Sequence, residues 1–270
     1  MPFTLVTFHA HPDDEAIATG GVMARAAAEG NRVVLVVATR GEVGEVDDGF
    51  LAPGESLADR RVLETQRAAE VLGVARVEFL GYLDSGMEGE PTNDAEGSFW
   101  SADIEEAASR LAAILVEEQA DVLTVYDDHG GYGHPDHVQV HRVGVRAGEL
   151  AGTPRIYEET LNRDHIQRLM SARPDDLAVG TDAPDPSDFD EMGSPESEIT
   201  TTVDVREYVD RKRGAMRAHA SQIPESSFFL TMPDDAFREA FGWEWFIRRG
   251  DRPATHETSV FEGLRGTVTR

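Results

Sequence analysis

Short apolar runs alternate with segments of helical periodicity along the first 160 residues of the chain. Most of these runs are rich in Val, Leu and Phe, as buried strands are. This alternation predicts an α/β fold, namely a Rossmann-like, doubly wound, mostly parallel sheet with helices on both faces. We expect strands over 3–8, 32–39, 77–80, 121–126 and 155–160, and helices over 16–29, 57–72, 102–119 and 135–150.

The regular alternation ends near Leu169, and the remainder of the chain has a different character. Residues 174–198 are rich in Asp, Glu and Pro, so we expect a mobile loop or a lid there. A strand is expected over 199–205 and a helix over 207–220. The tail that follows is rich in Phe and Trp, and we expect it to pack against the sheet or against a partner subunit in a homo-oligomer.

The length of 270 residues suits one large α/β domain with a C-terminal addition. We therefore expect a single domain over 1–270. Within it, residues 1–160 form the α/β core, and residues 161–270 form an irregular extension that shapes the substrate site.

The charge and the cysteine count exclude several classes of protein. The chain has 25 basic and 51 acidic residues, for a formal net charge of −26. Binding to nucleic acid or to an anionic membrane surface is disfavoured, because both need Lys and Arg at the contact. There is no Cys, so any metal site must use His, Asp or Glu. No signal peptide or transmembrane span is evident, and we expect a cytoplasmic protein.

Two turns rich in His and Asp follow predicted strands. His11 and Asp14 leave the first strand, and His137 leaves the fourth. In open α/β sheets, ligands bind at the carboxyl ends of the strands where the strand order reverses, so these distant turns can meet there. Two imidazoles and one carboxylate leave an open position on a tetrahedral zinc ion, the arrangement of a catalytic site. The same ligands also suit Fe²⁺.

Further side chains in these turns could carry the chemistry of a hydrolase. Asp13 lies beside the predicted ligands and could act as a general base. His134 could stabilise an oxyanion on a substrate carbonyl, and Tyr132 could assist from the same loop. His9 is expected to point to the other face of its strand, and His141 to pack on a helix face rather than bind metal.

Two other classes of protein are alternatives to a metal-dependent hydrolase. A dinucleotide-binding oxidoreductase would need a Gly-x-Gly-x-x-Gly turn after the first strand. The chain has His-Ala-His-Pro-Asp-Asp over 9–14 instead, and these acids would repel a pyrophosphate. A non-catalytic metal-binding module remains open as an alternative, although it would leave the spare acid and the spare His of the two turns without a role.

The two turns together resemble the signatures of the LmbE-like family, also called the PIG-L deacetylase family. The first signature is similar to Ala-His-Pro-Asp-Asp-Glu over 10–15, and the second to His-Pro-Asp-His over 134–137. The resemblance extends over residues 3–160. It includes Arg61 with Glu64, the Gly-Tyr-Leu-Asp-Ser-Gly-Met segment over 81–87, and a short Ala-His-Ala-Ser-Gln piece over 218–222.

The resemblance implies a zinc-dependent N-deacetylase of a small amino sugar. The matching family residues bind zinc at His11, Asp14 and His137, provide the base at Asp13, and steady the oxyanion or protonate the leaving amine at His134. In members of the mycothiol pathway, the positions matching Arg61 and Asp84 contact the substrate, and that matching Tyr132 assists at the carbonyl.

Within the family, the similarity is greatest to the deacetylase of N-acetylglucosaminyl-inositol. A sibling amidase that acts on thiol conjugates usually has Pro where this chain has Gly133. The deacetylase is therefore favoured, and an amidase acting on thiol conjugates or on another small amide is the alternative.

Overall fold

The computed structural model describes residues 2–172, 192–250, 252–253 and 255–264. Its central sheet confirms the predicted fold class. The strands are β1 (Thr4–His9), β2 (Arg32–Val37), β3 (Arg76–Phe79), β4 (Val122–Tyr126), β5 (Arg155–Thr160), β6 (Thr201–Asp204) and β7 (Trp243–Arg248).

Helices cover both faces of this sheet. They are α1 (Asp14–Ala18), α2 (Gly20–Ala28), α3 (Leu57–Leu72), α4 (Ile104–Glu117), α5 (Gly130–Gly133), α6 (Pro135–Ala151), α7 (Arg163–Ala172), α8 (Val209–Ala218), α9 (Phe228–Thr231) and α10 (Asp234–Phe241). None of the helices in these described segments is long and apolar enough to cross a lipid bilayer.

The strand order is β3-β2-β1-β4-β5-β7-β6. The first five strands in this order are parallel, whereas β7 runs antiparallel to both β5 and β6. The chain passes from β1 outward to β2 on one side and from β4 outward to β5 on the other. The strand order therefore reverses between β1 and β4, and the crevice at their carboxyl ends is the place where ligands bind in such sheets.

Two apolar layers hold the helices on the sheet. Side chains of α2, α3 and α8 pack on one face, and side chains of α4 and α6 pack on the other. Val33 to Val37 of β2 have no exposed surface, as expected of a strand that is covered on both faces.

Two helix starts differ from the sequence prediction, because in each case a carboxylate accepts hydrogen bonds from N–H groups near the start of the helix. The helix expected over 16–29 is broken at Thr19, where the Glu244 carboxylate accepts hydrogen bonds from the N–H groups of Gly21 and Val22, both at 2.7 Å. The next difference is at α4, which begins after Asp103 rather than after Ser101, because the Asp103 carboxylate accepts the Glu106 N–H at 2.9 Å.

The C-terminal part contains more regular structure than the sequence pattern indicates. Helix α7 extends to Ala172, beyond the point where the pattern ends. Part of the aromatic tail forms β7, in which Trp245 and Phe246 are buried. The predicted mobile loop or lid over 174–198 lies mostly outside the described residues, of which 192–198 are a part.

Candidate active site

The two His- and Asp-rich turns meet at the carboxyl ends of β1 and β4. His11 lies in the loop after β1, and Asp14 begins α1. His137 lies in the first turn of α6, whose first residue is Pro135. Proline suits this position because the missing N–H has no partner in the helix and the fixed φ angle fits the helix. The strand order thus brings together residues that are more than 120 positions apart in the chain.

One carboxylate oxygen lies between two imidazoles. Asp14 Oδ2 is 3.4 Å from His11 Nδ1 and 3.3 Å from His137 Nε2. Two ligand atoms of a tetrahedral zinc, each about 2.0–2.1 Å from the ion, lie roughly 3.3 Å apart. The spacing of these three side chains therefore matches the edges of a zinc coordination tetrahedron.

The other ring nitrogen of each imidazole has a partner that fixes the ring. His11 Nε2 lies 3.2 Å from Asp136 Oδ2 and 3.4 Å from Asp84 Oδ1, and His137 Nδ1 lies 3.2 Å from the carbonyl oxygen of Gly130. Metal-binding histidines characteristically donate their second N–H to a carboxylate or a carbonyl in this way. His137 Nε2 is buried without a hydrogen-bond partner in the part of the chain that the structure describes. The donor set fits a divalent metal.

The close contact between Gly130 and His137 requires a glycine. Gly130 has a φ angle of +71°, and an added Cβ would lie 2.8 Å from His137 Cβ. A larger residue would displace the carbonyl that fixes the imidazole of His137.

His11 belongs to two groups of candidate metal ligands. One contains His134 and His137, and the other contains Asp84 and Asp136. In each group the candidate ligand atoms lie within 4.8 Å of one another. Because the two carboxylates of the second group face His11 Nε2, we interpret them as the outer partners of His11 and assign the metal to the Nδ1 side.

The remaining histidines near the site have other partners, as expected. His9 hydrogen-bonds with Tyr126 and Thr19 through its two ring nitrogens. His141 Nδ1 lies 3.0 Å from the carbonyl oxygen of Tyr126, on the face of α6. Neither residue belongs to a group of candidate ligands within the described ranges.

Asp13 combines an unusual backbone with a perturbed carboxyl group. Its φ angle is +99°, which is uncommon for a residue other than glycine. Burial raises the pKa of Asp13 to about 6, although the positive charge of Arg61 acts in the opposite direction. Arg61 Nη2 lies 3.4 Å from Asp13 Oδ1. Strained backbone and a raised carboxyl pKa are both typical of functional residues.

His134 accepts a backbone hydrogen bond at one ring nitrogen, and its pKa is lowered. Its Nδ1 accepts the Asp136 N–H at 3.1 Å. Burial lowers the pKa of His134 to about 4, and the neighbouring imidazoles of His11 and His137 act in the same direction. A neutral imidazole that accepts at Nδ1 carries its proton at Nε2, and can donate it in a hydrogen bond.

A cavity of about 760 Å³ opens over these side chains. Arg61, Asp84, Asp13 and His134 line it together with Tyr132, which is 51% exposed. Most of the apolar part of its wall comes from the C-terminal half of the chain: Leu161, Ile166, Leu169, Met170, Met192, Phe228, Phe229, Phe241, Trp243 and Trp245.

Arg61 and Asp84 are both buried, and both support the loops around the site. Arg61 donates to the carbonyl oxygens of Gly41 and Pro12 as well as approaching Asp13. Asp84 accepts the Gly86 N–H at 2.9 Å and lies beside His11. Their expected contacts with substrate therefore remain predictions, whereas their position at the cavity is observed.

Residues 6–148 match the family model described as PIG-L, GlcNAc-PI de-N-acetylase. This range contains both motif turns. The chain belongs to the PIG-L de-N-acetylase family.

Curated members of the PIG-L family are similar to this chain over almost its whole length. A protein of Thermobifida fusca is 40% identical, and the similarity covers 95% of this chain and 98% of the length of that protein. One of Nocardiopsis dassonvillei is 41% identical, covering 95% and 99%. Both are named 1D-myo-inositol 2-acetamido-2-deoxy-alpha-D-glucopyranoside deacetylase.

Solved structures share the fold at low sequence identity. The N,N'-diacetylchitobiose deacetylase of Pyrococcus horikoshii has a TM-score of 0.59 and 19% identity, covering 91% of this chain and 83% of its own. A deacetylase from the biosynthesis pathway of teicoplanin has a TM-score of 0.61 and 17% identity, covering 92% and 99%. Both likenesses support the PIG-L fold.

The sequence reasoning omitted several residues at this PIG-L site. Asp136 is fully buried against His11, and Tyr126 stacks on His137. Glu15 is also fully buried and pairs with His219. Asp136 and Glu15 lie inside the two signatures, so their positions were available as a signal. The family resemblance includes residues 218–222, but nothing in the local sequence indicates that His219 reaches the first turn.

Proposed function

We propose that this chain is a metal-dependent deacetylase that removes an N-acetyl group from an amino sugar such as N-acetylglucosaminyl-inositol. The observation that carries the proposal is the position of Asp14 Oδ2 between His11 Nδ1 and His137 Nε2, with the Asp13 carboxyl and His134 lining the same cavity. The names of the two curated relatives support the choice of substrate.

His11, Asp14 and His137 would hold the metal. We propose Zn²⁺ as the physiological ion, and Fe²⁺ also suits two imidazoles and a carboxylate. When bound, such an ion polarises a carbonyl group and lowers the pKa of water.

The side chains around the ligands divide the remaining chemistry. Asp13 takes a proton from the attacking water as general base and then returns a proton to the departing amine. This return is needed because an unprotonated amine is a poor leaving group. The raised pKa of Asp13, about 6, suits both directions of transfer near neutral pH.

His134 faces the developing negative charge on the substrate oxygen. As a neutral imidazole with its proton at Nε2, it donates a hydrogen bond that strengthens as the oxyanion forms. Tyr132, which is half exposed at the cavity, supplies a second donor through its hydroxyl group.

A phosphoesterase would be expected to gather cationic side chains around a transferred phosphate. In contrast, the two motif turns contain neither Lys nor Arg.

The amine half of the substrate is proposed to lie beside Arg61 and Asp84. Asp13 must reach the leaving nitrogen, and Arg61 approaches Asp13 at 3.4 Å. The sugar and inositol hydroxyls would therefore meet polar groups on this side of the cavity. A site built to bond a hydroxyl discriminates strongly against an analogue that lacks it.

One observation favours a second candidate function. The wall formed by Phe229, Trp243 and Trp245 is apolar, which a small polar sugar would not need. An amidase acting on a thiol conjugate with an apolar group would use this wall. Gly133, where the sibling amidase usually has Pro, argues for the deacetylase.

We also propose that residues 1–270 form one domain. Residues of the 161–270 part line the cavity together with residues of the core. The C-terminal part would then shape the substrate site rather than fold separately, as a core of this size allows.

The test compares four substrates with purified, zinc-loaded protein. Amine release from N-acetylglucosaminyl-inositol, with weaker release from N-acetylglucosamine and no cleavage of a bis-aryl phosphodiester, is the expected result. A thiol conjugate cleaved faster than the inositol compound would favour the amidase. Metal bound tightly without turnover of any amide would indicate a non-catalytic module, and phosphodiester cleavage alone would end the proposal.

A further inference from the structure

The carboxylate of Asp13 does not cap helix α1. Asp13 directly precedes the first residue of α1, where an Asp side chain ordinarily accepts a hydrogen bond from the second or third N–H of the helix. Here it makes no such bond, and its φ angle is +99°. This left-handed backbone turns the carboxylate away from the helix, which leaves it available at the cavity wall.

Glu15 stabilises the backbone of Asp13 in this conformation. The Asp13 N–H donates to Glu15 Oε2 at 3.0 Å. Capping boxes use a related arrangement, in which a Glu in the first turn reaches back to the N–H before the helix. Glu15 is fully buried, so the bond is shielded from competing water.

His219 fixes the other oxygen of the same carboxylate. His219 Nε2 donates to Glu15 Oε1 at 2.6 Å, and both side chains have no exposed surface. The two residues are 204 positions apart. Two buried hydrogen bonds thus connect His219 in the C-terminal part, through Glu15, to the backbone N–H of Asp13.

The segment that carries His219 is itself firmly attached. It follows α8, and two residues later Ser221 donates to the Glu64 carboxylate of α3 through its N–H at 3.1 Å and its hydroxyl at 2.6 Å. The His219 carbonyl accepts hydrogen bonds from the N–H groups of Gln222 and Ile223. His219 is therefore a fixed point against which Glu15 can be oriented.

We propose that Glu15 and His219 are positioning residues: they hold the backbone of Asp13 in its left-handed conformation and thereby aim its carboxylate at the reacting atoms. The inference rests on the proposed function, in which Asp13 is the base. A displacement of about 1 Å in a catalytic group can cost roughly 100-fold in rate, so the loss of this support reduces kcat by about 10- to 100-fold.

The experiment compares two amide substitutions that differ by one methylene. In His219→Gln, the side-chain nitrogen reaches the place of His219 Nε2 and still donates to Glu15. In His219→Asn, the nitrogen falls short. We expect His219→Gln to retain kcat within about 3-fold and His219→Asn to lose the stated factor. KM and metal content stay unchanged in both variants, because His219 binds neither substrate nor metal.

Ser221→Ala is the matched control on the same segment. It removes the hydroxyl bond to Glu64 but keeps the N–H bond that also attaches the segment, and it does not touch Glu15, so it should lower the melting temperature and leave kcat unchanged. Equal kcat values for His219→Gln and His219→Asn, whether both high or both low, would overturn the proposal. If His219→Asn does not fold, Glu15→Asp replaces it, because its shortened carboxylate withdraws from the Asp13 N–H.

A double-mutant cycle separates this inference from the proposed function. In the Asp13→Asn background, His219→Asn should cause no further loss of kcat, because its effect passes through Asp13. An additional loss of the same factor would show a general structural role instead. If Asp13→Asn alone retains full kcat, the role of Asp13 as base in the proposed function has failed. If it loses activity while His219→Asn in the otherwise unchanged chain does not, only the positioning role has failed.

Discussion

The imidazole of His137 stacks face to face on the phenol ring of Tyr126, with the ring centroids 4.2 Å apart and the planes 3° from parallel. Tyr126 is itself fixed, because its hydroxyl lies 3.1 Å from His9 Nδ1. The stack sets the plane of the His137 ring, and the bond to the Gly130 carbonyl sets its rotation within that plane. His137 Nε2 is thereby aimed at Asp14 Oδ2, which lies 3.3 Å away.

His137→Ala should abolish stoichiometric zinc binding, because two ligands on a short loop do not hold the ion as three preorganised ligands do. The measurement is zinc per chain after dialysis against a weak chelator. His141→Ala is the control, since His141 lies one turn further along the same helix and bonds to a carbonyl outside the metal site. Retention of one tight zinc in His137→Ala would refute the ligand assignment.

Asp13→Ala should retain the metal and lose most of the turnover. Asp13 supplies no metal ligand in this assignment, and a general base contributes about 10²–10⁴-fold to the rate. Zinc content and kcat are measured on the same preparation, with Asp13→Asn as a variant of nearly unchanged shape. If zinc is lost together with activity in both variants, Asp13 is a ligand and the base must be sought elsewhere.

Much of the fold follows from local sequence patterns. The bounds of α3 agree with the prediction, because Ser56 caps its start and Gly73 follows its last residue, and the bounds of β5 agree as well. The proposed metal ligands could be predicted to lie together because the carboxyl ends of β1 and β4 converge in any sheet of this order.

The contacts that the sequence did not reveal are made across long distances. The break at Thr19 depends on Glu244, which lies more than 220 residues away. Glu15 likewise requires His219. Hydrophobic periodicity reports which face of an element is buried, but not which distant polar group meets it. These buried polar pairs could therefore be identified only from the three-dimensional structure.

The stability of the fold should depend on pH through Glu118. Arg32 and Arg76 donate to this carboxylate at 2.5 and 2.8 Å, and their hydrogen bonds lower the pKa of Glu118 to about 2 from its ordinary value of 4.5. The pairing therefore contributes stability that is fully present above pH 4.5 and is lost as the pH falls towards 2.

Glu118→Gln should lower the free energy of unfolding by about 1 kcal/mol at pH 7, because the arginines are partly solvated. The difference from the unsubstituted protein should shrink as the pH is lowered to 3. Urea unfolding at both pH values measures it. The neighbouring Glu117 is 64% exposed, and Glu117→Gln should change little at either pH. A Glu118→Gln deficit that grows on acidification would contradict the assignment.

His134→Ala should impair the chemical step rather than substrate binding. His134 donates to an oxygen that becomes negative only as the reaction proceeds, so its removal should lower kcat by about 10²–10³-fold and leave KM within about 3-fold. His129→Ala is the matched control, because His129 lies in the same loop but pairs with Asp127 and Asp128. Steady-state kinetics on an N-acetylated sugar separate the two constants. A raised KM with unchanged kcat would make His134 a binding residue, and the oxyanion would then depend on Tyr132 and the metal alone.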